Sequence, residues 1–173
     1  MSGALSAISD WNKLIGMAIA LLTAILLGLA AQAATMYYGY RIPSHGAFVR
    51  HFTLALSSTF LLCLAHSMTM FYFIGTGKHL KELVKEYRLG EGIVRETILF
   101  KNKLFPPMMV AILLTLAQFI LGGGTDTRVV PAWIHQIMAW ATLGSNAYCL
   151  VFEAKYLAAN SRLMNSVFQT IDS

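Results

Sequence analysis

Four long apolar runs, none of which contains Asp, Glu, Lys or Arg, fill most of this 173-residue chain. A lipid bilayer has a hydrocarbon core about 30 Å thick, which a helix of ~20 residues can cross, so each run is long enough to span a membrane. The pattern predicts an all-α, polytopic membrane protein: a single membrane domain over residues 1–173 whose four transmembrane helices form an antiparallel bundle. The predicted spans cover residues 14–36, 52–74, 104–121 and 129–152.

The composition agrees with a chain that lies in lipid. Hydrophobic residues make up 57% of the sequence and charged residues only 12%, and a soluble domain of this length could not cover so much apolar surface. The formal net charge is +5, which on its own is compatible with nucleic-acid binding. The basic residues, however, gather beside the spans, where anionic lipid headgroups lie. We therefore expect the lipid bilayer, and not nucleic acid, as their partner.

The distribution of Lys and Arg orients the predicted bundle, because cytoplasmic loops of membrane proteins carry an excess of these residues. Of the 13 basic residues, only Arg41, Arg50 and Arg128 lie on one side of the predicted spans. The other side carries Lys13, Lys78, Lys81, Lys85, Arg88, Arg95, Lys101, Lys103, Lys155 and Arg162. The sequence therefore predicts a multi-pass protein of the cell inner membrane with both termini in the cytoplasm, a cytoplasmic loop over 77–103 and a cytoplasmic tail over 153–173.

The cytoplasmic parts are also predicted to be helical. Leu80, Leu83, Val84 and Tyr87 recur at i, i+3, i+4 and i+7, which is the spacing of an amphipathic helix. A second helical stretch leads into span three, and the tail continues the helix of span four. The connection either lies along the membrane surface or offers a docking surface for other membrane-protein subunits.

Local signals indicate where the spans begin and end. Ser44 can cap the N-terminus of span two. Pro106–Pro107 fits the opening turn of span three, where a missing N–H group costs little. Gly75 and Gly77 are expected to end span two and to allow a tight exit from the membrane.

His66 is an ionisable residue well inside span two, and such residues in a membrane have a partner or a function. Counted at about 1.5 Å per residue, its depth matches that of a polar stretch in span four. The structural interpretation is a hydrogen bond from His66 to Thr142, Ser145 or Asn146, which would join the two helices.

A b-type haem is the alternative use of the histidines, because imidazoles from two facing helices can hold haem iron between them. His66 and His135 are the favoured candidate axial ligands, with His135 about 10 Å nearer the outer surface by the rise per residue. His51 and His135, both near the outer surface, form the other candidate pair.

Four spans, internal histidines and a length of 173 residues resemble small haem-b membrane proteins, such as the small bacterial b-type cytochromes and the haem anchors of succinate dehydrogenase. The resemblance covers architecture alone. It implies a haem held by histidines and electron exchange with quinone. The cytochromes carry paired histidines on several helices, whereas span one of this chain contains none.

The outer half of the predicted bundle also collects polar side chains. Gln32, Gln118, Gln136 and His135 all fall there. They are expected either to form a polar pocket for quinone or water, or to bond one another as ordinary contacts between helices.

The sequence contains no motif of a nucleotide-binding loop, a serine hydrolase, a zinc protease or a thiol redox centre, and no metal-ion site is predicted. Because no run contains a carboxylate, an autonomous ion-coupled transporter is disfavoured. The favoured function is a small accessory or anchor subunit, not catalytic on its own, of a bacterial energy-transducing membrane complex. The alternatives are a haem-b electron-transfer subunit and a small-solute or lipid-handling protein.

Overall fold

The computed structural model describes residues 2–42 and 46–172, with side chains described for 13–42 and 46–171. No strand occurs among these residues, and the all-helical fold predicted from the sequence is confirmed. Four helices contain nearly all of them: α1 (Ser2–Gly39), α2 (Ala47–Glu86), α3 (Gly92–Asp126) and α4 (Ala132–Asp172).

Three of the helices are long and apolar enough to cross a membrane: Lys13–Gly39 within α1, and the whole of α2 and α3. The membrane character predicted from the sequence is confirmed at this level. α4 is not among them, so its predicted span over 129–152 stays a prediction. The lower hydropathy of α4 reflects polar residues on its inward face, including Thr142, Asn146 and Glu153, all fully buried.

Short turns with left-handed backbone conformations join the helices. α2 begins after Gly46 at a φ of 82°, a conformation that glycine adopts without steric cost. Arg88, after α2, and Arg128, after α3, take the same region at φ values of 54° and 61°. The predicted cap Ser44 lies outside the described residues.

Gly75 and Gly77 lie inside α2, and the prediction that they end the helix is wrong. Gly77 is buried against α3: a Cβ added to it would lie 3.4 Å from Nζ of Lys101 and 3.7 Å from Cβ of Thr97. The glycine therefore allows close contact between two helices rather than a reversal of the chain.

Pro106–Pro107 also lies inside a helix, and the prediction that it opens one is wrong, because α3 already begins at Gly92. Each proline removes one hydrogen bond to the carbonyl four residues earlier. Leu104 and Met108, which flank the prolines, are fully buried. Their packing against the other helices holds this part of α3 in place despite the missing bonds.

The four helices contact one another in a ring. α1 packs on α2 and α4, and α3 packs on the same two helices, whereas α2 and α4 touch at few positions. Residues near the ends of α1 and α3 contact residues near the beginnings of α2 and α4, as Thr35 does with His51 and Gln118 with His135. We call the end of the bundle with these contacts the cavity end, after the cavity described in the next section. The opposite end, where α2 leads into α3, is called the basic end.

Burial is reversed relative to a water-soluble protein. Large apolar side chains on all four helices face outward, with Leu27, Phe60, Ile120 and Val151 each 60–72% exposed. The buried centre instead holds many polar side chains. A bilayer explains both features, since lipid accepts apolar side chains and polar groups must find partners within the protein. Buried polar residues include Gln32, Ser58, His66, Thr69, Thr115, Asn146, Glu153 and Asn160.

Contact between α1 and α2 depends on a glycine. A Cβ added to Gly28 would lie only 2.7 Å from Cγ of Leu62. Leu62 is fully buried and packs in one cluster with Ile25 and Ala65. Because carbon atoms do not approach so closely, Leu62 would have to move from a packed position.

Gly28→Ala should therefore destabilise the protein by about 1–3 kcal/mol through overpacking. Gly16→Ala in the same helix is the matched control, because no atom of the described side chains and backbone lies within 4 Å of its added Cβ and alanine favours a helix over glycine by about 0.5–1 kcal/mol. Thermal unfolding in detergent, followed by circular dichroism, measures both. Equal Tm shifts for the two variants would contradict the packing described.

Candidate functional site

A cavity of about 950 Å³ opens among the four helices at the cavity end. Its wall is mainly apolar, and every helix contributes polar side chains to it. The residues that the sequence grouped as a polar pocket all line this one cavity, together with His51: Gln32 from α1, Gln118 from α3, and His135 and Gln136 from α4. The cavity exists only when the four helices are assembled.

His51 on α2 and His135 on α4 lie close together in this cavity. Their ring centroids are 6.2 Å apart, and the ring planes make an angle of 81°. Nδ1 of His51 lies 2.8 Å from the backbone carbonyl oxygen of Thr35, so it is the nitrogen that donates. A neutral ring then keeps its lone pair on Nε2, which is the form of histidine that ligates a metal.

Gln118 on α3 contacts His135. The amide nitrogen of Gln118 lies 3.1 Å from Nδ1 and 3.4 Å from Nε2 of His135. Its amide oxygen Oε1 is buried and has no hydrogen-bond partner among the described residues. The cavity wall thus contains one acceptor whose bonding is incomplete, which is costly in a buried position.

Each of the two histidine rings lies against a glycine of a neighbouring helix. A Cβ added to Gly39 of α1 would lie 3.0 Å from Cε1 of His51, and one added to Gly122 of α3 would lie 3.2 Å from Cε1 of His135. Both distances are shorter than ordinary carbon contacts. The two glycines therefore provide the space that the rings occupy.

A second polar centre lies deeper in the structure, around His66. Nδ1 of His66 is 2.6 Å from Oε1 of Glu153, and Nε2 is 2.8 Å from Oδ1 of Asn146. All three side chains are fully buried. These contacts join α2 to α4, two helices that otherwise touch little.

Asn146 determines where the protons of this centre lie. Its amide nitrogen donates to Oγ1 of Thr115 and to the carbonyl oxygen of Thr142, both at 3.0 Å. Oδ1 therefore faces His66 and accepts a hydrogen bond from the N–H group at Nε2. One further proton lies between Nδ1 and Glu153, so the pair is neutral as a whole, whether written as imidazolium and carboxylate or as imidazole and carboxylic acid. Neutrality allows both groups to lie in a low-dielectric interior.

The structure separates the three partners that the sequence named for His66. Asn146 bonds the ring, whereas Thr142 donates to the carbonyl oxygen of Leu114 at 3.3 Å. Ser145 is half-buried and is not one of the two groups at the ring nitrogens. Because both nitrogens of His66 are engaged, neither is open to haem iron, and the geometry disfavours the pairing of His66 with His135.

The structure assigns Glu153 a place that the sequence interpretation missed. The end of the fourth apolar run put Glu153 in the tail, and the absence of an intramembrane carboxylate argued against ion coupling. That argument no longer holds, because Glu153 is buried against His66. Helical spacing was the available signal: Glu153 follows Asn146 by seven residues, or two turns, and so shares its face.

No protein-family model, curated protein sequence or solved structure matches this chain. The function therefore has to be argued from the chemistry of the cavity and of the His66 centre. Among the described residues, no three His, Cys, Asp or Glu side chains form a group suited to a metal ion. Axial ligation of haem, by contrast, needs only two side chains on opposite sides of the iron.

Glu153→Ala should lower the free energy of unfolding by about 3 kcal/mol, because it leaves Nδ1 of His66 without a partner in a buried site. Glu153→Gln should cost less, since it keeps a hydrogen-bonding group of the same size. Glu82→Ala is the control: its exposed carboxylate lies 3.9 Å from Lys78, and such pairs contribute at most about 1 kcal/mol. Denaturant unfolding in detergent measures all three, and similar losses for Glu153→Ala and Glu82→Ala would refute the role of the pair.

Proposed function

We propose that this chain is a membrane-embedded electron-transfer subunit that holds one b-type haem between His51 and His135. The observation that carries the proposal is the 6.2 Å separation of the two ring centroids within a large cavity. A metal–imidazole nitrogen bond is about 2 Å long, so two imidazoles on opposite sides of one iron have centroids roughly 6–6.5 Å apart. The observed separation falls in that range without any movement of α2 relative to α4.

The proposal includes a four-span antiparallel bundle. The outward face of α4 supports a fourth span, because it carries exposed apolar side chains such as Ile137, Tyr148 and Val151. The contact of Glu153 with His66 favours a span that extends beyond Phe152. The excess of Lys and Arg at the basic end favours placing that end, with both termini, on the cytoplasmic side of the cell inner membrane.

The dimensions of the cavity suit a cofactor. Sites for small molecules and cofactors have volumes of about 300–1,000 Å³, and the volume of about 950 Å³ lies at the upper end of that range. His51 and His135 come from two helices of the ring that touch little, and Gly39 and Gly122 come from the other two. A flat ring system between the histidines would thus have glycines at its side rather than larger residues.

Gln118 supports His135 as a ligand. A half-turn of its amide group exchanges the positions of Oε1 and Nε2. Oε1 would then accept a hydrogen bond from the N–H group at Nδ1 of His135. This bond would give Oε1 the partner that it otherwise lacks among the described residues. This arrangement leaves Nε2 of His135 with the lone pair that ligates iron, as the Thr35 carbonyl does for His51.

Arg128 supplies a cation for the acidic groups of a haem. It lies in the turn between α3 and α4 and lines the cavity, as does Asp126. Haem carries two propionate groups, and guanidinium binds carboxylates with paired hydrogen bonds. With the propionates toward this turn, the charged edge faces the membrane surface and the apolar ring faces the interior.

This function is that of an accessory subunit in a larger energy-transducing complex. Haem b carries one electron at a time, so a partner subunit or a quinone must supply and remove electrons. At the basic end the extension of α2 packs against the last turns of α4 through Leu80, Met164 and Val167, and its exposed charged side chains, such as Lys78 and Glu82, form the surface proposed for a partner subunit.

A quinone bound directly in the cavity is the second candidate. It is favoured by one observation, the unpartnered acceptor Oε1 of Gln118 beside His135. A quinol hydroxyl could donate to that oxygen, and the apolar wall would hold the ring. Lipid or small-solute handling would use the same cavity without redox chemistry.

Protein purified from haem-replete cells should show a Soret band, and a sharp α band when reduced. His51→Ala and His135→Ala should each remove the α band or the haem, because either change takes away one axial ligand. His79→Ala is the matched control, since His79 is exposed and lies at the basic end of α2. Absorption spectra of the oxidised and reduced proteins measure the effect.

Circular dichroism should show that the variants keep their helical content, so that loss of haem is not loss of fold. Wild-type protein without a Soret band would overturn the haem proposal. In that case extraction of the protein with organic solvent, followed by chromatography for bound quinone, tests the second candidate.

A further inference from the structure

A column of buried polar side chains runs through the centre of the structure from the basic end toward the cavity. Its middle is the His66–Glu153 pair, and its members are connected by hydrogen bonds except for one gap between Glu153 and Asn160. From the basic end the column contains Thr76, Tyr72, Asn160, Glu153, His66, Asn146, Thr115 and Gln32.

The pair has an open position for one more proton. Oε1 of Glu153 shares a proton with His66, whereas Oε2 is buried and has no hydrogen-bond partner among the described residues. A proton placed on Oε2 would turn the pair into imidazolium and carboxylic acid, with a net charge of +1. Such a charge is costly in a low-dielectric interior unless a negative charge arises nearby.

Further buried polar groups lie between the pair and the basic end. Asn160 follows Glu153 by seven residues and so lies on the same face of α4, two turns nearer that end. Its amide nitrogen lies 3.5 Å from the hydroxyl of Tyr72 and 3.3 Å from that of Thr76. Its amide oxygen is also buried and has no hydrogen-bond partner in the part of the chain that the structure describes. Thr76 precedes Gly77, beside which Nζ of Lys101 lies, so the column reaches the charged surface of the basic end.

On the cavity side, the pair contacts Asn146. Asn146 donates to Thr115 and also lies 3.4 Å from Oε1 of Gln32, and both of these residues line the cavity. The pair is thus connected by hydrogen bonds to the wall of the cavity, whereas two helical turns separate Glu153 from Asn160 on the side of the basic end.

The surroundings of the pair leave few other ionisable groups to share its charge. On α4, Cys149 lies one helical turn before Glu153, and on α2 Cys63 lies one turn before His66. The ammonium group of Lys101 of α3 lies beside Gly77, next to Thr76. The cluster that contains Cys149 is otherwise apolar at this level, with Ala18 and Leu21 from α1 and Leu104, Met108 and Ala111 from α3.

The inner wall of the cavity lies one helical turn from the pair, and His51 lies 15 residues, or about 22 Å along α2, from His66. Leu62 and Thr142 line the cavity, and each precedes by one helical turn a residue of the centre, His66 and Asn146 respectively. Low-dielectric protein and lipid surround both sites, so an electron added in the cavity is poorly screened at the pair.

From this placement we infer that the His66–Glu153 pair is a proton-loading site that takes up one proton when the cofactor in the cavity gains one electron. The inference rests on the proposed haem function. In balanced form, a haem held by His51 and His135 would take one electron from a quinol or partner subunit, and Glu153 would take one proton from the aqueous side. The electron and the proton stay on separate sites and compensate each other's charge.

The test is the pH dependence of haem reduction in purified protein, measured by redox titration with soluble mediators between about pH 5 and 9. By linkage, coupled uptake of one proton makes the reduction equilibrium constant fall by up to about tenfold for each unit of pH over part of this range. Glu153→Gln should remove most of this dependence, since the amide cannot load the proton. Glu82→Gln, which changes an exposed carboxylate, should keep it.

The outcomes separate this inference from the proposed function. Haem bands with a flat pH dependence in the wild type, or with the wild-type dependence retained in Glu153→Gln, overturn the proton-loading site and leave the haem function intact. Absence of haem bands overturns the haem function and the redox coupling with it. Infrared spectra of the same samples, recorded as the pH is lowered, then decide whether the pair takes up a proton: a carboxylic acid band that appears or shifts with pH and is missing in Glu153→Gln supports uptake, and a spectrum independent of pH refutes it.

Discussion

The proton shared between His66 and Glu153 is the interaction on which the remainder of the structure depends. Two ionisable side chains lie fully buried among helices whose outer surfaces are apolar, and without a compensating charge nearby they do so as a neutral pair. Asn146 completes the arrangement by accepting a hydrogen bond from the second ring nitrogen of His66. If any of the three groups were displaced along its helix, a buried polar group would lose its partner at a cost of several kcal/mol, roughly 3–5 for a broken buried pair.

This constraint also sets the position of α2 relative to α4. His51 precedes His66 by 15 residues on α2, and His135 precedes Asn146 and Glu153 by 11 and 18 residues on α4. Because His66 lies between the latter two, the register that pairs it also brings His51 to the level of His135. The approach of His51 to His135 and the buried pair thus both follow from one alignment of α2 and α4. The polar centre around His66 fixes this alignment, and the cavity is the part that can accept a ligand.

Sequence reasoning reached some of these contacts and missed others for identifiable reasons. Counting residues inward from the outer ends of the runs brought Asn146 to the depth of His66. The same count placed His135 about 10 Å nearer the outer surface than His66, so it argued against the favoured pair of haem ligands, and His51 is the residue that lies beside His135. Glu153 was placed in the tail because a hydropathy run ends at the first charge. Gly75, Gly77 and Pro106–Pro107 were interpreted as helix ends, although tertiary packing carries both helices through them.

The sequence by itself determined that the chain is helical and that its surface is apolar enough for a membrane. Both properties follow from the average hydropathy and spacing of long runs, so a wrong interpretation of any single residue changes them little. It also determined that the polar side chains of α4 share one face. Only the tertiary structure decided which histidine meets which partner. A shift of one residue moves a side chain by about 1.5 Å along the axis and by 100° around it, which hydropathy does not detect but a hydrogen bond of 2.6 Å does.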